Sequence, residues 1–356
     1  MLFPYKFVEH NICRLNDWIE FLFTEVWCNA DEEYSLDLLN GCPDLKKVAE
    51  EEAWKEDPSM KPNDYITGPI SVIYDLFKTE LDGKQRKTLR KKFIKSRNLE
   101  KVLFHSKYYD VLENTYIESL SPILAKNLYD FYTNLFDNVL NLTVIKDRNG
   151  TLKNHYDAFV KINTAGICPF CGINTIRSYE MAGHEAYDHF LPKEKYATYS
   201  INFKNLVPTC HDCNSIHKLR KSPIFDFKVG QNLRAFYPYS QNALDVDIIC
   251  NVNIKNYKDY GHRHLTINFK GKSRFEQDKI NTWTNIYNTE TRYKDHLTNE
   301  SKGKYWLVQM LDELEKQTDR DKEIARLVKN YDRNKFKGDN LLKVPFLKAC
   351  RTEGLF

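Results

Sequence analysis

Long apolar runs are the first thing this 356-residue chain lacks. Nothing in it approaches the roughly 18 consecutive apolar residues of a membrane-crossing helix. It has no internal repeat, no low-complexity tract and no glycine-rich phosphate loop, so an ATP-driven motor is not expected in this chain. A disulfide framework is also missing. Nine cysteines are an odd number, and Cys13, Cys28, Cys42, Cys250 and Cys350 are scattered without framework spacing, which points to a reducing compartment. The start, MLFPYKFVEHNICRLNDW, shows no apolar stretch ahead of its charges, so a soluble, cytoplasmic chain is expected.

Hydrophobic residues make up 42% of the chain and aromatics 13%, with 22 Tyr and 21 Phe, which predicts a folded globular protein rather than a disordered one. The length suits two or three domains. A formal net charge of +4 is mild, but its distribution is uneven. Residues 1 to 60 hold 14 Asp/Glu against 5 Lys/Arg, a formal −9, which leaves +13 on the rest. A polyanion would be repelled by the first part and attracted by the second.

Leu15 to Trp27 puts Trp18, Ile19, Leu22 and Val26 on one helical face. Asp31 to Asp64 is acidic and punctuated by Gly41, Pro43, Pro58 and Pro62, predicting short helical pieces whose face is solvated or docks a basic partner. Ile66 to Leu81 is helical in pattern. Lys84 to Arg97 carries eight basic residues and no acid. On a helix Leu89 and Phe93 face one way while Lys84, Lys87, Lys91 and Lys95 face the other, toward solvent, a membrane surface or phosphates. From Leu99 to Leu142 the residues Leu124, Leu128, Phe131, Leu135, Val139 and Leu142 recur at threes and fours. Asp147-Arg148-Asn149-Gly150 is a turn signal that closes an expected α-helical domain over residues 1–150.

The densest polar chemistry lies between Cys168 and Lys221. Two Cys-x-x-Cys pairs, Cys168/Cys171 and Cys210/Cys213, supply four thiolate ligands of the kind that build a tetrahedral zinc site. Between them lie the 38 residues from 172 to 209, so a metal would staple the ends of an insert. That insert contains Asp188-His189 and Asn205, Asn214 follows the last cysteine, and His217 stands three residues further on. A carboxylate, an amide oxygen and an imidazole are what a divalent cation and a water-activating base need at a phosphodiester.

The order C-x2-C, D-H-x-x-P, N-L-x-P-x-C-x2-C-N resembles the zinc-stapled HNH (ββα-metal) nucleases, over roughly a sixth of the chain. The resemblance implies a structural Zn2+ on the four cysteines and a catalytic Mg2+ or other divalent cation on Asp188 and Asn214, with His217 as the alternative second ligand. It implies that His189 is the general base and that Asn205 pins the loop and orients the His189 ring. His184 is a further candidate for the metal site. Lys218, Arg220 and Lys221 form either a solvated helix face or phosphate contacts. The implied activity is metal-dependent hydrolysis of nucleic acid, DNA ahead of RNA. Two other readings stand beside it: a nuclease subunit of a bacterial or phage-related defence complex, activated by an ATPase or sensor partner through the N-terminal domain, and a catalytically silent zinc-stabilised binding or adaptor protein.

The expected fold class is α+β: the helical domain, the ββα-metal module over residues 151–225, and a β-hairpin plus helices over residues 226–356. In that last region Ile224 to Tyr239 is an extended aromatic stretch. Asp245 to Ile254 and His262 to Phe269 alternate as two strands around a turn at Asn256 to Gly261. Gln277 to Leu297, Tyr305 to Leu314 and Lys322 to Tyr331 are helical in pattern.

Overall fold

The computed structural model describes residues 1–53, 64–105, 111–241, 246–254 and 257–355. Pro58 and Pro62 of the acidic stretch, residues 106–110 inside the expected Leu99–Leu142 helical region, Asp245 and Asn256 lie outside the described residues. The chain is α+β, with many helices and small antiparallel strand pairs.

Two apolar clusters organise the helices. In the first, the helical run from Leu15 to Asn29 drives Phe23 and Trp27 into the core. Phe23 stacks on Phe93 at 4.0 Å between ring centroids and meets Phe77 edge-on at 5.6 Å. Phe77 belongs to helix Thr67–Glu80, and Phe93 to helix Gly83–Ser96. Helix Pro122–Asp137 adds Leu124, Leu128, Phe131 and Leu135, the residues whose spacing predicts it. The second cluster holds the four paired cysteines and the C-terminal elements. Both clusters draw on residues from either side of Gly150: Leu2, Tyr5 and Val8 pack with the second, and Tyr187 and Leu206 with the first.

Helix Gly83–Ser96 opens with a capping box between Asp82 and Gln85. Its arginines turn inward to the acidic opening segment: Arg86 lies 2.7 Å from Asp31 and Arg90 lies 2.7 Å from Glu25. Lys84, Lys87, Lys91 and Lys95 are exposed on the opposite face. Part of the acidity of the first 60 residues is therefore neutralised within the molecule.

Strands β1 (Tyr187–His189) and β2 (Leu206–Pro208) pair antiparallel, with Asp188 opposite Val207. A short pair, β3 (Phe225–Asp226) and β4 (Gln231–Asn232), follows. Then β5 (Asp247–Val252) pairs with β6 (Leu265–Lys270), burying Ile248, Cys250 and Val252 on the face that alternation predicts. The stretch from Gln277 to Leu297 is two helices rather than one, Arg274–Tyr287 and Thr289–Thr298. They break at Asn288, whose φ of +50° is a left-handed conformation that asparagine tolerates better than most residues. Helix Asn340–Thr352 has no clear apolar stripe in the sequence, because it is buried around most of its circumference against β5 and helix Arg320–Arg333.

Candidate metal centre and the hairpin beside it

The thiols of Cys168, Cys171, Cys210 and Cys213 are all buried and lie within 4.8 Å of one another. Cys171 Sγ and Cys210 Sγ are 3.9 Å apart. Four sulfurs held about 2.3 Å from a tetrahedral ion are separated by about 3.8 Å, so the donor set and its spacing fit a structural zinc. The first knuckle is closed by Gly172 N donating to Cys168 O at 2.7 Å. Gly172 has φ +69°, which strains any residue with a Cβ, and a Cβ there would fall 2.4 Å from Leu2 Cδ1 and 2.6 Å from Leu341 Cδ2, so both leucine side chains would have to move.

Distant parts of the chain clamp this centre. Arg292 Nη1 donates to Cys213 Sγ at 3.1 Å, and Asn174 Nδ2 donates to Cys210 Sγ at 3.5 Å and to Asp212 Oδ2 at 2.8 Å. Burial opposes the Arg292 charge, but the sulfurs of Cys213 and Cys171 outweigh it and hold the guanidinium protonated. Trp283 Nε1 donates to Phe170 O at 2.6 Å, and Tyr293 OH donates to Cys171 O at 2.7 Å. None of these partners is marked in the sequence, because no spacing rule joins Arg292 to a cysteine pair 79 positions earlier. His184 is not among these ligands; its Nδ1 donates to the carbonyl of Glu185 at 2.7 Å.

The strand pair β1–β2 and the helical turn Asp212–Lys218 follow one another beside the cysteines. Asp188 on β1 is 2% exposed, and its Oδ1 accepts from Lys218 Nζ at 2.8 Å. Lys218 Nζ also donates to His189 O at 2.6 Å. Burial pushes the Asp188 carboxyl above its usual range, and the Lys218 ammonium pulls against that push. Asp188 Oδ2 is buried with no hydrogen-bond partner among the described residues. Lys218 is thus neither a solvated nor a phosphate-contacting residue, as the KLRK run suggested. It is 1% exposed, because the buried carboxylate requires a counter-charge.

His189 closes β1. Its ring meets Phe136 edge-on at 4.6 Å between centroids, and its Nε2 donates to Ser200 O at 2.9 Å. Burial first, then the charge of Lys193, pushes the imidazole down to about 3. Asn205 is fully buried and grips the loop between the strands: its Oδ1 accepts from Leu191 N at 2.8 Å, while Nδ2 donates to Leu191 O at 3.1 Å and to Tyr199 O at 3.3 Å.

Asn214 and His217 lie on the helical turn after the last cysteine, both half-buried. Among the described residues no hydrogen bond or ion pair joins either of them to Asp188 or His189. His217 is pushed below its ordinary range by burial and by Arg292. Arg220 is exposed and lies 3.3 Å from Glu194, and Lys221 Nζ donates to Ile286 O at 3.4 Å.

Compared with known proteins, the chain is similar to Protein ea31 of Escherichia phage lambda, with 32% identity over 104 residues. The match covers 29% of this chain and 29% of that protein. No protein-family model matches the chain, and no solved structure matches it.

Proposed function

We propose that the chain is a metal-dependent nuclease of the HNH (ββα-metal) kind, acting on DNA in the first instance. The observation that carries this reading is the state of His189. A carbonyl oxygen can only accept, so Ser200 O fixes the proton on Nε2 and leaves Nδ1 with its lone pair. Burial keeps that ring neutral at pH 7 and also makes it a weaker base than a free imidazole. A neutral imidazole with one nitrogen anchored and the other free can take a proton from an attacking water. Asn205 supports the role by holding Tyr199, next to the carbonyl that anchors the ring.

Asp188 Oδ2, buried and without a hydrogen-bond partner among the described residues, and the side-chain oxygen of Asn214 are the atoms that would hold a divalent cation. Such a cation, when bound, supplies Lewis-acid stabilisation of the leaving oxygen. The four cysteines would hold zinc in a structural role only, since a site closed by four sulfurs leaves no position for substrate. Incubating the purified chain with supercoiled plasmid and Mg2+ or Mn2+ tests the proposal: nicked or linear products are expected, and intact plasmid under every divalent metal rejects it as an autonomous activity.

One observation favours a second reading. The Lys218 ammonium already occupies Asp188 Oδ1, so the carboxylate is neutralised without any metal. That suits a nuclease subunit silent until a partner shifts the helical turn, or a silent nucleic-acid-binding protein. Cleavage that appears only after Lys218→Ala would support the gated form.

A further inference from the structure

Immediately beyond the helical turn that carries Asn214, the surface opens into a cavity of about 950 Å3. That volume is at the upper end for a small-molecule site. Asn214 and Ser215 line one side of it, and helix Arg274–Tyr287 contributes Asn285 to another. The β3–β4 hairpin supplies Phe225 and Phe227, whose rings meet edge-on with centroids 4.8 Å apart. Phe227 is 39% exposed, and Lys195 Nζ sits 4.8 Å from its ring centroid. Lys221 and Lys228 bring two more cations to the rim, close enough that Lys228 helps to lower the Lys221 pKa, after burial.

We infer that this cavity binds an unpaired nucleotide of the substrate strand, placing the adjoining phosphate beside Asn214. The inference rests on the nucleic-acid reading of the neighbouring site. Three features select this ligand together. An exposed aromatic ring offers a stacking face, which any base can use. Lysines at the rim suit phosphates on either side of a bound nucleotide. The amide of Asn285, exposed and with no hydrogen-bond partner among the described residues, can both donate to and accept from a base edge. A duplex would instead need an open groove or ridge, because its bases are stacked inward and cannot reach a ring inside a cavity. The rim argues for a ligand that carries negative charge, since Lys195, Lys221 and Lys228 outnumber the carboxylates that lack an arginine partner, while the largely apolar walls suit the flat face of a base.

Fluorescence anisotropy on the full chain, without added divalent cation, with a labelled single-stranded DNA and the same strand in a hairpin duplex, tests this. The wild type should prefer the single strand. Phe227→Ala should lose about tenfold in single-strand affinity, with little change for the duplex. Lys228→Ala should weaken both and flatten the salt dependence. No preference for the single strand, or a Phe227→Ala affinity within twofold of wild type, overturns the inference. Because binding is read without cleavage, Phe227-dependent binding by a chain that cuts nothing upholds the cavity and rejects autonomous nuclease activity. Cleavage that is indifferent to Phe227 does the reverse.

Discussion

Lys218 Nζ lies 2.8 Å from Asp188 Oδ1, and both side chains are almost wholly buried, at 1% and 2% exposure. A charge pair removed from water this completely is sensitive to the loss of one partner far more than to the loss of both. Lys218→Ala should therefore destabilise the chain by roughly 3–5 kcal/mol, because it strands the Asp188 charge. The double variant Lys218→Met with Asp188→Leu should recover most of that loss. Urea denaturation of the three proteins measures both steps, and a double variant as unstable as the single one would show that the pair is not the source.

The four clustered cysteines should bind zinc tightly. One zinc per chain should be retained through dialysis. Cys210→Ser should lose it and expose the region between the two knuckles to protease, because a structural metal contributes its binding free energy to folding. Metal analysis and limited proteolysis read the two effects. Cys250→Ser, at a buried cysteine outside the cluster, should keep its metal.

Acid should destabilise the fold through histidines that are buried uncharged. His189 is held at about 3 and His155 at about 4, both by burial first, against an ordinary value of 6.5. A base whose folded pKa lies below its unfolded one contributes stability that is complete above about 6.5 and is lost as pH falls toward the folded value. Unfolding at pH 5 should accordingly take up nearly two protons from these two residues, and His155→Gln should remove about one of them. Calorimetry in buffers of different ionisation enthalpy counts the protons.

The exposed lysines of helix Gly83–Ser96 bear on nucleic-acid binding. Its arginines are engaged with Asp31 and Glu25, and Lys84, Lys87, Lys91 and Lys95 are exposed on its other face. Replacing Lys91 and Lys95 by Gln should weaken DNA binding uniformly across sequences and reduce the slope of log K against log salt by about 2. An unchanged slope would assign the face to solvent.

Much of this architecture is legible in the sequence where one physical rule acts alone. The apolar stripes of helices Thr67–Glu80 and Pro122–Asp137, the alternation of β5 and β6, and the convergence of two Cys-x-x-Cys pairs all follow from local spacing. What could not be read depends on tertiary contact. Lys218 sits in a basic run that looks solvated, and only the burial of Asp188, thirty residues earlier, draws it inside. Arg292 and Asn174 are ordinary polar residues until folding places them on the sulfurs. Helix Asn340–Thr352 carries Pro345 and is buried on most sides, so neither propensity nor periodicity reveals it.

The central claim is that His189 Nδ1 receives a proton during phosphodiester hydrolysis. Comparing wild-type and His189→Ala proteins of matched zinc content and thermal stability in a Mg2+- or Mn2+-dependent plasmid-nicking assay tests it most directly. Cleavage by the wild type and its loss by at least about a hundredfold in the variant is the expected result; equal rates from the two proteins would contradict the account.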